Sequence, residues 1–363
     1  MSELDDVTRL DDFEPLARAR MGAAELDYVA GGAGDEVTLA DNVAAFRRWR
    51  LRPRVLIDVS EVDTSTMLLD APVALPVAMA PVAFQHFAHA DAEPASARAA
   101  ARAGALFCLS TVSSRSLEEV AAAADAAGGG AGAARWFQLY VHRNRERAAE
   151  LVARAVAAGY RAIVVTADLP LAGNRERDRR NALAYPQSFG NFEWAAGAGD
   201  DPIAATIGAF TDATLTWHDV AWLRSLTALP IIVKGILTAE DGALAMEHGA
   251  AGVVVSNHGG RQLDRTPATI DVLAEVVDAV AGRGEVYLDG GVRRGVDVLT
   301  ALALGARGVL IGRPLVYALA AGGEAGVARA FEILAAELRT DMALLGVTRL
   351  DQLSRAHVAR VAG

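Results

Sequence analysis

Eight short apolar runs, each followed by a stretch with helical spacing, constrain this chain more than any other feature. They are Val73–Pro81, Ala105–Ser110, Trp136–Val141, Ala162–Asp168, Pro230–Ile236, Gly252–His258, Glu285–Gly291 and Gly308–Pro314. The runs are nearly continuous in hydrophobicity, as strands buried on both faces must be. The stretches between them, such as Ala92–Ala103 and Arg145–Ala158, are rich in alanine at helical spacing. Eight alternations predict an α/β fold, a (β/α)8 TIM barrel. A doubly wound open sheet is the second reading, because the pattern alone does not show closure. The chain has 363 residues, 52% of them apolar, enough for one such barrel as a single domain over 1–363.

Three features exceed a minimal barrel. Residues 1–72 precede the barrel core at 73–320 and read as an N-terminal helical segment, with Pro15–Tyr28 the clearest helix. The gap after the fourth run, Leu169–Leu229, is too long for one helix, and 183–212 within it, rich in Gly, Asp and aromatics, reads as a long loop and a lid. Residues 321–363 read as C-terminal helices. The run Gly128–Gly132 is a small flexible insertion.

Charge narrows the partners. With 35 Lys and Arg against 45 Asp and Glu the net charge is −10, which argues against nucleic acid and against an anionic membrane surface. The only cysteine, Cys108, excludes an intramolecular disulfide and a Cys-based zinc site. No apolar run reaches the roughly 18 residues of a membrane span. The acidic start, MSELDDVTRLDDF, lacks a signal-peptide pattern, so the expected location is cytoplasmic.

In such barrels chemistry gathers at the C-terminal ends of the strands. Here those ends are polar: Gln138 and Tyr140, Thr166 and Asp168, Lys234, Ser256 and His258, then Asp289-Gly290-Gly291. Residues two apart share a face, so each pair points one way. SNHGGRQLD, Ser256–Asp264, places a proton-transfer histidine three residues before Arg261, a natural carboxylate clamp, across two turn-forming glycines. Lys234 has two readings: a Schiff-base lysine, as in an aldolase, or a permanent cation beside an anionic cofactor ring. Asp289–Gly295 with Arg293, and Gly312-Arg313-Pro314, read as a phosphate cradle after strands seven and eight. His86 and His89 lack enough partners for a metal, and no metal is expected. Cys108 reads as a core residue. Arg175–Arg180 reads as a solvated charged stretch from which only Arg175 turns to the site.

Together these motifs resemble one known family. SNHGGRQLD, the Lys234 strand, FQLYV (Phe137–Val141) and the DGGVRRG…IGRP ending resemble the FMN-dependent α-hydroxy acid oxidases and dehydrogenases, which include glycolate oxidase, lactate oxidase and mandelate dehydrogenase. The resemblance runs from about Phe13 to about Leu353, and LDYVAGGAGDEVTLADN places Tyr28 within it. It implies FMN at the barrel mouth, its phosphate on Arg293, Gly312 and Arg313, its ribityl chain near Asp289 and Lys234, with Gly290, Gly291 and Ser256 adjoining. The ring would meet Pro81, Val82, Ala83, Ser110, Gln138, Thr166 and Lys234. Tyr28, Arg175 and Arg261 would hold the substrate carboxylate, and Tyr140 the substrate hydroxyl. His258 would take the hydroxyl proton, with Asp168 supporting its imidazolium.

The implied reaction is oxidation of a 2-hydroxy acid to the 2-oxo acid. The family implies an (S)-2-hydroxy acid oxidase, while the residues leave L and D open. Oxygen as acceptor, giving H2O2, fits Ala83, since alanine there is commoner in oxidases; a dehydrogenase with another acceptor is the alternative. Short-chain relatives carry Trp and Leu where this chain has Val112 and Ala172, which implies a larger, mandelate- or hydroxymandelate-like substrate. The family further implies a homotetramer. Two other classes stand beside this one, an aldolase using Lys234 and a flavin-binding protein without catalysis.

Overall fold

All eight apolar runs form strands, and the strands close on themselves. A computed structural model of the chain describes residues 3–128, 132–181, 183, 188–193 and 211–361. Its barrel strands are β1 (Val77–Met79), β2 (Leu106–Leu109), β3 (Arg135–Leu139), β4 (Ile163–Thr166), β5 (Ile231–Ile236), β6 (Gly252–Val255), β7 (Glu285–Asp289) and β8 (Gly308–Ile311). They pair in parallel in chain order, and β8 returns to β1. The open sheet is thereby excluded. Helices α1 (Ala92–Arg102), α2 (Leu117–Ala127), α3 (Arg145–Ala157), α4 (Trp217–Leu226), α5 (Ala239–Glu247), α6 (Thr269–Val280), α7 (Gly295–Leu304) and α8 (Arg313–Leu345) follow the strands one by one.

Strand periodicity explains how one barrel supplies both a core and a site. Alternate residues fall into two separate apolar clusters. Val77, Phe107, Phe137, Ile163, Val233, Val253, Leu288 and Val309 pack outward beneath the helices. Ala78, Leu106, Cys108, Trp136, Val164, Ile232, Val254, Tyr287 and Leu310 fill the interior, where Trp136 and Tyr287 meet edge to face at 5.0 Å. Two residues further along the same inward faces stand Ser110, Gln138, Thr166, Lys234, Ser256 and Asp289, all buried. The plug is apolar and its top layer polar. Cys108 lies in the plug, where burial pushes its thiol pKa up.

Three sequence-based expectations change. The first run spans two elements: Ala71–Val73 pairs antiparallel with Thr66–Leu68, and only Val77 onward joins the barrel. This hairpin, with Leu68 and Val73 buried in the inner cluster, seals the bottom. Pro15–Tyr28 is two helices, Phe13–Arg20 and Ala23–Ala30, because the chain is extended at Met21 and Gly22. The terminal segments are not purely helical: Trp49–Leu51 pairs antiparallel with Val358–Arg360. α8 itself bends at Gly322-Gly323, where both residues leave helical geometry. Among the described residues no helix is long and apolar enough to cross a membrane.

Candidate active site

The polar top layer opens into a cleft lined by Tyr28, Tyr140, Arg175, His258, Arg261 and Arg313.

Its floor is centred on Lys234, which is buried. Nζ donates to Ser256 Oγ at 2.8 Å and pairs with Asp289 Oδ2 at 3.1 Å. Burial works against the charge, but Asp289 and Asp168 outweigh it and raise the lysine above its ordinary pKa. A Schiff-base lysine needs a free amine. Lys234 is held protonated, and the aldolase reading falls. Beside it β5 bulges, with its register against β6 shifting between Lys234 and Ile236. Gly235 sits there at φ +109, and a Cβ would stand 2.6 Å from Asp168 Cβ. Glycine is what lets Asp168 approach.

Asp168 faces His258. His258 Nδ1 lies 3.0 Å from Asp168 Oδ1, and its main-chain N–H donates to Ser256 Oγ at 3.1 Å. His258 itself adopts φ +57, uncommon for a residue with a Cβ and concentrated at functional sites. With Nδ1–H donated to the Asp168 carboxylate, Nε2 is the lone-pair nitrogen. Burial lowers the His258 pKa, and Lys234 adds to this against the opposing pull of Asp168. The ring is therefore neutral at neutral pH. Burial also opposes the Asp168 carboxylate, but His258 and Lys234 outweigh it and hold its pKa below the usual range.

Two arginines enter from separate loops. Arg261 Cζ lies 4.9 Å over the Tyr28 ring, and its Nη1 donates to Tyr28 O at 2.6 Å and Gly31 O at 3.0 Å. Arg175 is buried, and its Nε donates to Arg261 O at 3.4 Å. Tyr28, Tyr140, Arg175 and Arg261 all line the cleft with His258 and Lys234. Burial pushes the Tyr140 hydroxyl up to about 12, so it remains a donor. The stretch read as solvated thus turns two residues inward: Asp178, also buried, stands 3.9 Å from Arg175.

The remaining wall fits a phosphorylated, hydroxyl-rich ligand. Pro81, Val82, Ala83, Asp289, Gly290, Gly291, Arg293, Gly312 and Arg313 line it, at the N-terminus of α8. Arg313 donates to Val29 O, Gly259 O and Gly31 O at 2.9, 2.8 and 2.7 Å. Burial, with Arg261 and Arg293 nearby, pulls its pKa down to about 9, and the guanidinium stays charged at neutral pH. Asp289 Oδ1 is buried without a hydrogen-bond partner and matches a ligand hydroxyl. Gly291, at φ +83, could carry no Cβ, which would stand 1.9 Å from Asn42 O. Ser110, Gln138, Thr166 and Ser256 are not among the lining residues. They lie buried beneath the cleft, where Gln138 Nε2 donates to Thr166 Oγ1 at 2.9 Å and its Oε1 accepts from Thr111 N at 3.1 Å.

Sequence reasoning missed Phe84, Leu169 and Thr211, which also line the cleft. An apolar residue or a threonine carries no chemical signature; only closeness to strand ends pointed to Phe84 and Leu169, and nothing in the sequence marked Thr211. Val112 is on the wall, but Ala172 is half-buried and is not; Leu169 stands there instead. Of the expected lid, most lies outside the described residues. Within it the structure describes Leu183, the hairpin Ser188–Phe189 and Phe192–Glu193, the wall residue Thr211 and Asp212. Among the described residues no His, Cys, Asp and Glu cluster could hold a metal.

Known proteins are similar to this chain over nearly its whole length. The sequence pattern of FMN-dependent dehydrogenases matches residues 17–360. Glycolate oxidase of Spinacia oleracea is 46% identical over 361 residues, 98% of this chain and 96% of that protein. L-lactate oxidase of Nostoc sp. is 45% identical over 361 residues, 97% of this chain and 98% of that protein. The crystal structure of mandelate oxidase with (S)-4-hydroxymandelic acid superposes with a TM-score of 0.89 at 42% identity, covering 97% of this chain and 98% of that one. Matches of this length and identity make the chain a member of the FMN-dependent dehydrogenase family, whose enzymes oxidise 2-hydroxy acids.

Proposed function

We propose that the chain oxidises an (S)-2-hydroxy acid larger than glycolate to the 2-oxo acid and passes the electrons to O2, giving H2O2. The observation that carries the reading is His258, paired with Asp168, sharing one cleft with Arg175 and Arg261. That geometry suits a substrate with a carboxylate beside a carbinol carbon whose hydroxyl proton a base can take.

In this reading Arg293, Gly312 and Arg313 hold the FMN phosphate, and Asp289 and Lys234 adjoin its ribityl chain, with Gly290, Gly291 and Ser256 beside them. Pro81, Val82 and Ala83, with Ser110, Gln138 and Thr166, would meet the ring. FMN, when bound, supplies the acceptor for the two electrons that leave the carbinol carbon. Arg175, Arg261 and Tyr28 fix the carboxylate, which orients the carbinol carbon. Tyr140 donates to the substrate hydroxyl oxygen. His258 Nε2 takes the hydroxyl proton, and the Asp168 carboxylate stabilises the imidazolium that results. Lys234 keeps a positive charge at the floor throughout. Val112, Leu169 and Phe84 give the cleft an apolar end for the substrate side chain.

Relatives named glycolate, L-lactate and mandelate oxidases support oxygen as acceptor. The mandelate-like substrate rests on Val112, a small residue on the wall. The homotetramer and the cytoplasmic location belong to this proposal through the resemblance alone. The test is anaerobic flavin bleaching across mandelate, 4-hydroxymandelate, lactate and glycolate, followed by air. Bleaching with rapid recovery and H2O2 is expected. Bleaching that air does not reverse would assign a dehydrogenase with another acceptor.

Two variants probe the cleft. Arg261→Lys keeps the charge but loses the planar fork that spans Tyr28 O, Gly31 O and a carboxylate. Hydrogen bonds to charged groups contribute about 1.5–3 kcal/mol, so kcat/KM should fall roughly 10- to 100-fold. Unchanged kinetics on every hydroxy acid would remove Arg261 from substrate binding. Val112→Trp fills the apolar end, where overpacking costs about 1–3 kcal/mol. The wild type should prefer mandelate to glycolate by kcat/KM, and the variant should narrow or reverse that order. A wild type that strongly prefers glycolate would overturn the substrate reading and leave the flavin chemistry intact.

A further inference from the structure

The loop after β4 carries Asp168 at one end and Arg175 at the other, and the loop after β6 carries His258 and Arg261. One side chain stitches the two loops together. Gln262 Nε2 donates to Asp168 O at 2.8 Å and to Leu171 O at 3.0 Å, while its Oε1 accepts the Gly173 N–H at 3.2 Å. All three partners are main-chain groups of the same short loop. A carboxamide is the group whose inventory fits, with two N–H for two carbonyls and one oxygen for one N–H. A carboxylate would face two carbonyl oxygens, and an ammonium could not accept. The loops also touch backbone to backbone, since a Cβ on Gly173 would stand 2.2 Å from Arg261 O. Gln262 is half-buried and is not among the residues lining the cleft, so it acts on the loop and not on substrate.

We propose that Gln262 is a positioning residue: it fixes the 168–173 loop so that the Asp168 carboxylate meets His258 Nδ1 and Arg175 reaches the cleft. This rests on His258 being the base. The charged groups facing His258 are Asp168, Lys234 and Arg175. Of these Asp168 raises the imidazole pKa while Lys234 and Arg175 lower it. A loosened Asp168 therefore moves the acid limb of the reaction to lower pH, and a loosened Arg175 weakens substrate binding.

The experiment compares purified holoenzymes of the wild type, Gln262→Ala and Gln262→Glu. The latter has the same shape and carries the test if Gln262→Ala yields no holoenzyme. FMN content and the oxidised flavin spectrum should match the wild type in both. Anaerobic reduction by the best hydroxy acid should slow about 10- to 100-fold, as a misplacement near 1 Å can cost. The half-saturating concentration should rise, and the acid limb should shift down. Gln262→Glu should be no better than Gln262→Ala despite its shape. Wild-type rates with an unmoved acid limb would overturn the proposal, and so would lost FMN with an unmoved limb, which marks a merely structural role. Normal reduction in His258→Ala would instead overturn the base assignment on which it rests.

Discussion

His258→Ala should retain FMN and bleach at least about 10³-fold more slowly with its hydroxy acid, within the range expected for losing an acid–base group. The cause is local. Nε2 is the lone-pair nitrogen of the ring because Nδ1 is engaged by Asp168 at 3.0 Å. The cofactor wall, with Arg313 and Asp289, is built from the loops after β7 and β8 and does not depend on the imidazole. The same assignment fixes a pH dependence. A base must be deprotonated to act, so the rate rises with pH through the His258 pKa. Burial, with Lys234 adding to it, sets that pKa below the ordinary 6.5. Reduction in the wild type should therefore be flat at neutral pH and fall only below it, and the limb should vanish in His258→Ala. Stopped-flow reduction from pH 5 to 8 reads both. Near-wild-type reduction in the variant would take His258 out of the mechanism.

Replacing Lys234 with Met should damage the protein more broadly. The ammonium is the cation between the Asp289 and Asp168 carboxylates. Removing one partner of a buried ion pair typically costs about 3–5 kcal/mol, because the other charge stays buried. The expected results are a lower Tm for the apoprotein and weakened FMN binding by fluorescence titration. A variant with the Tm and FMN affinity of the wild type would show that the pair contributes little.

The barrel and most of the cleft were legible because both depend on strand periodicity. Lys234, Asp168 and His258 stood out as polar residues ending apolar runs, and inward pairing followed from two-residue spacing. What escaped had no such signature. Val73 reads as part of a strand in either element, so the hairpin at the barrel floor merged with β1. The bulge at Gly235 is invisible in a run of apolar residues, yet it makes room for Asp168. Asp178 looked solvated among its charged neighbours, since a six-residue charged run does not reveal which side is covered. Ala172 was placed on the wall by analogy, and the loop geometry put Leu169 there instead.

The antiparallel pairing of Trp49–Leu51 with Val358–Arg360 bears on the order in which the molecule is made. Tyr28 meets Arg261 across 233 positions, and the reciprocal amide bonds between Asn42 and Asn257 span 215. A ribosome delivers the N-terminal helices first, but their partners emerge only after most of the barrel has been synthesised. Closing such distant segments is slow compared with forming local helices. The N-terminal helices must therefore keep their apolar faces uncovered until β6 and the loop after it have been made, and the cleft is completed only after most of the barrel.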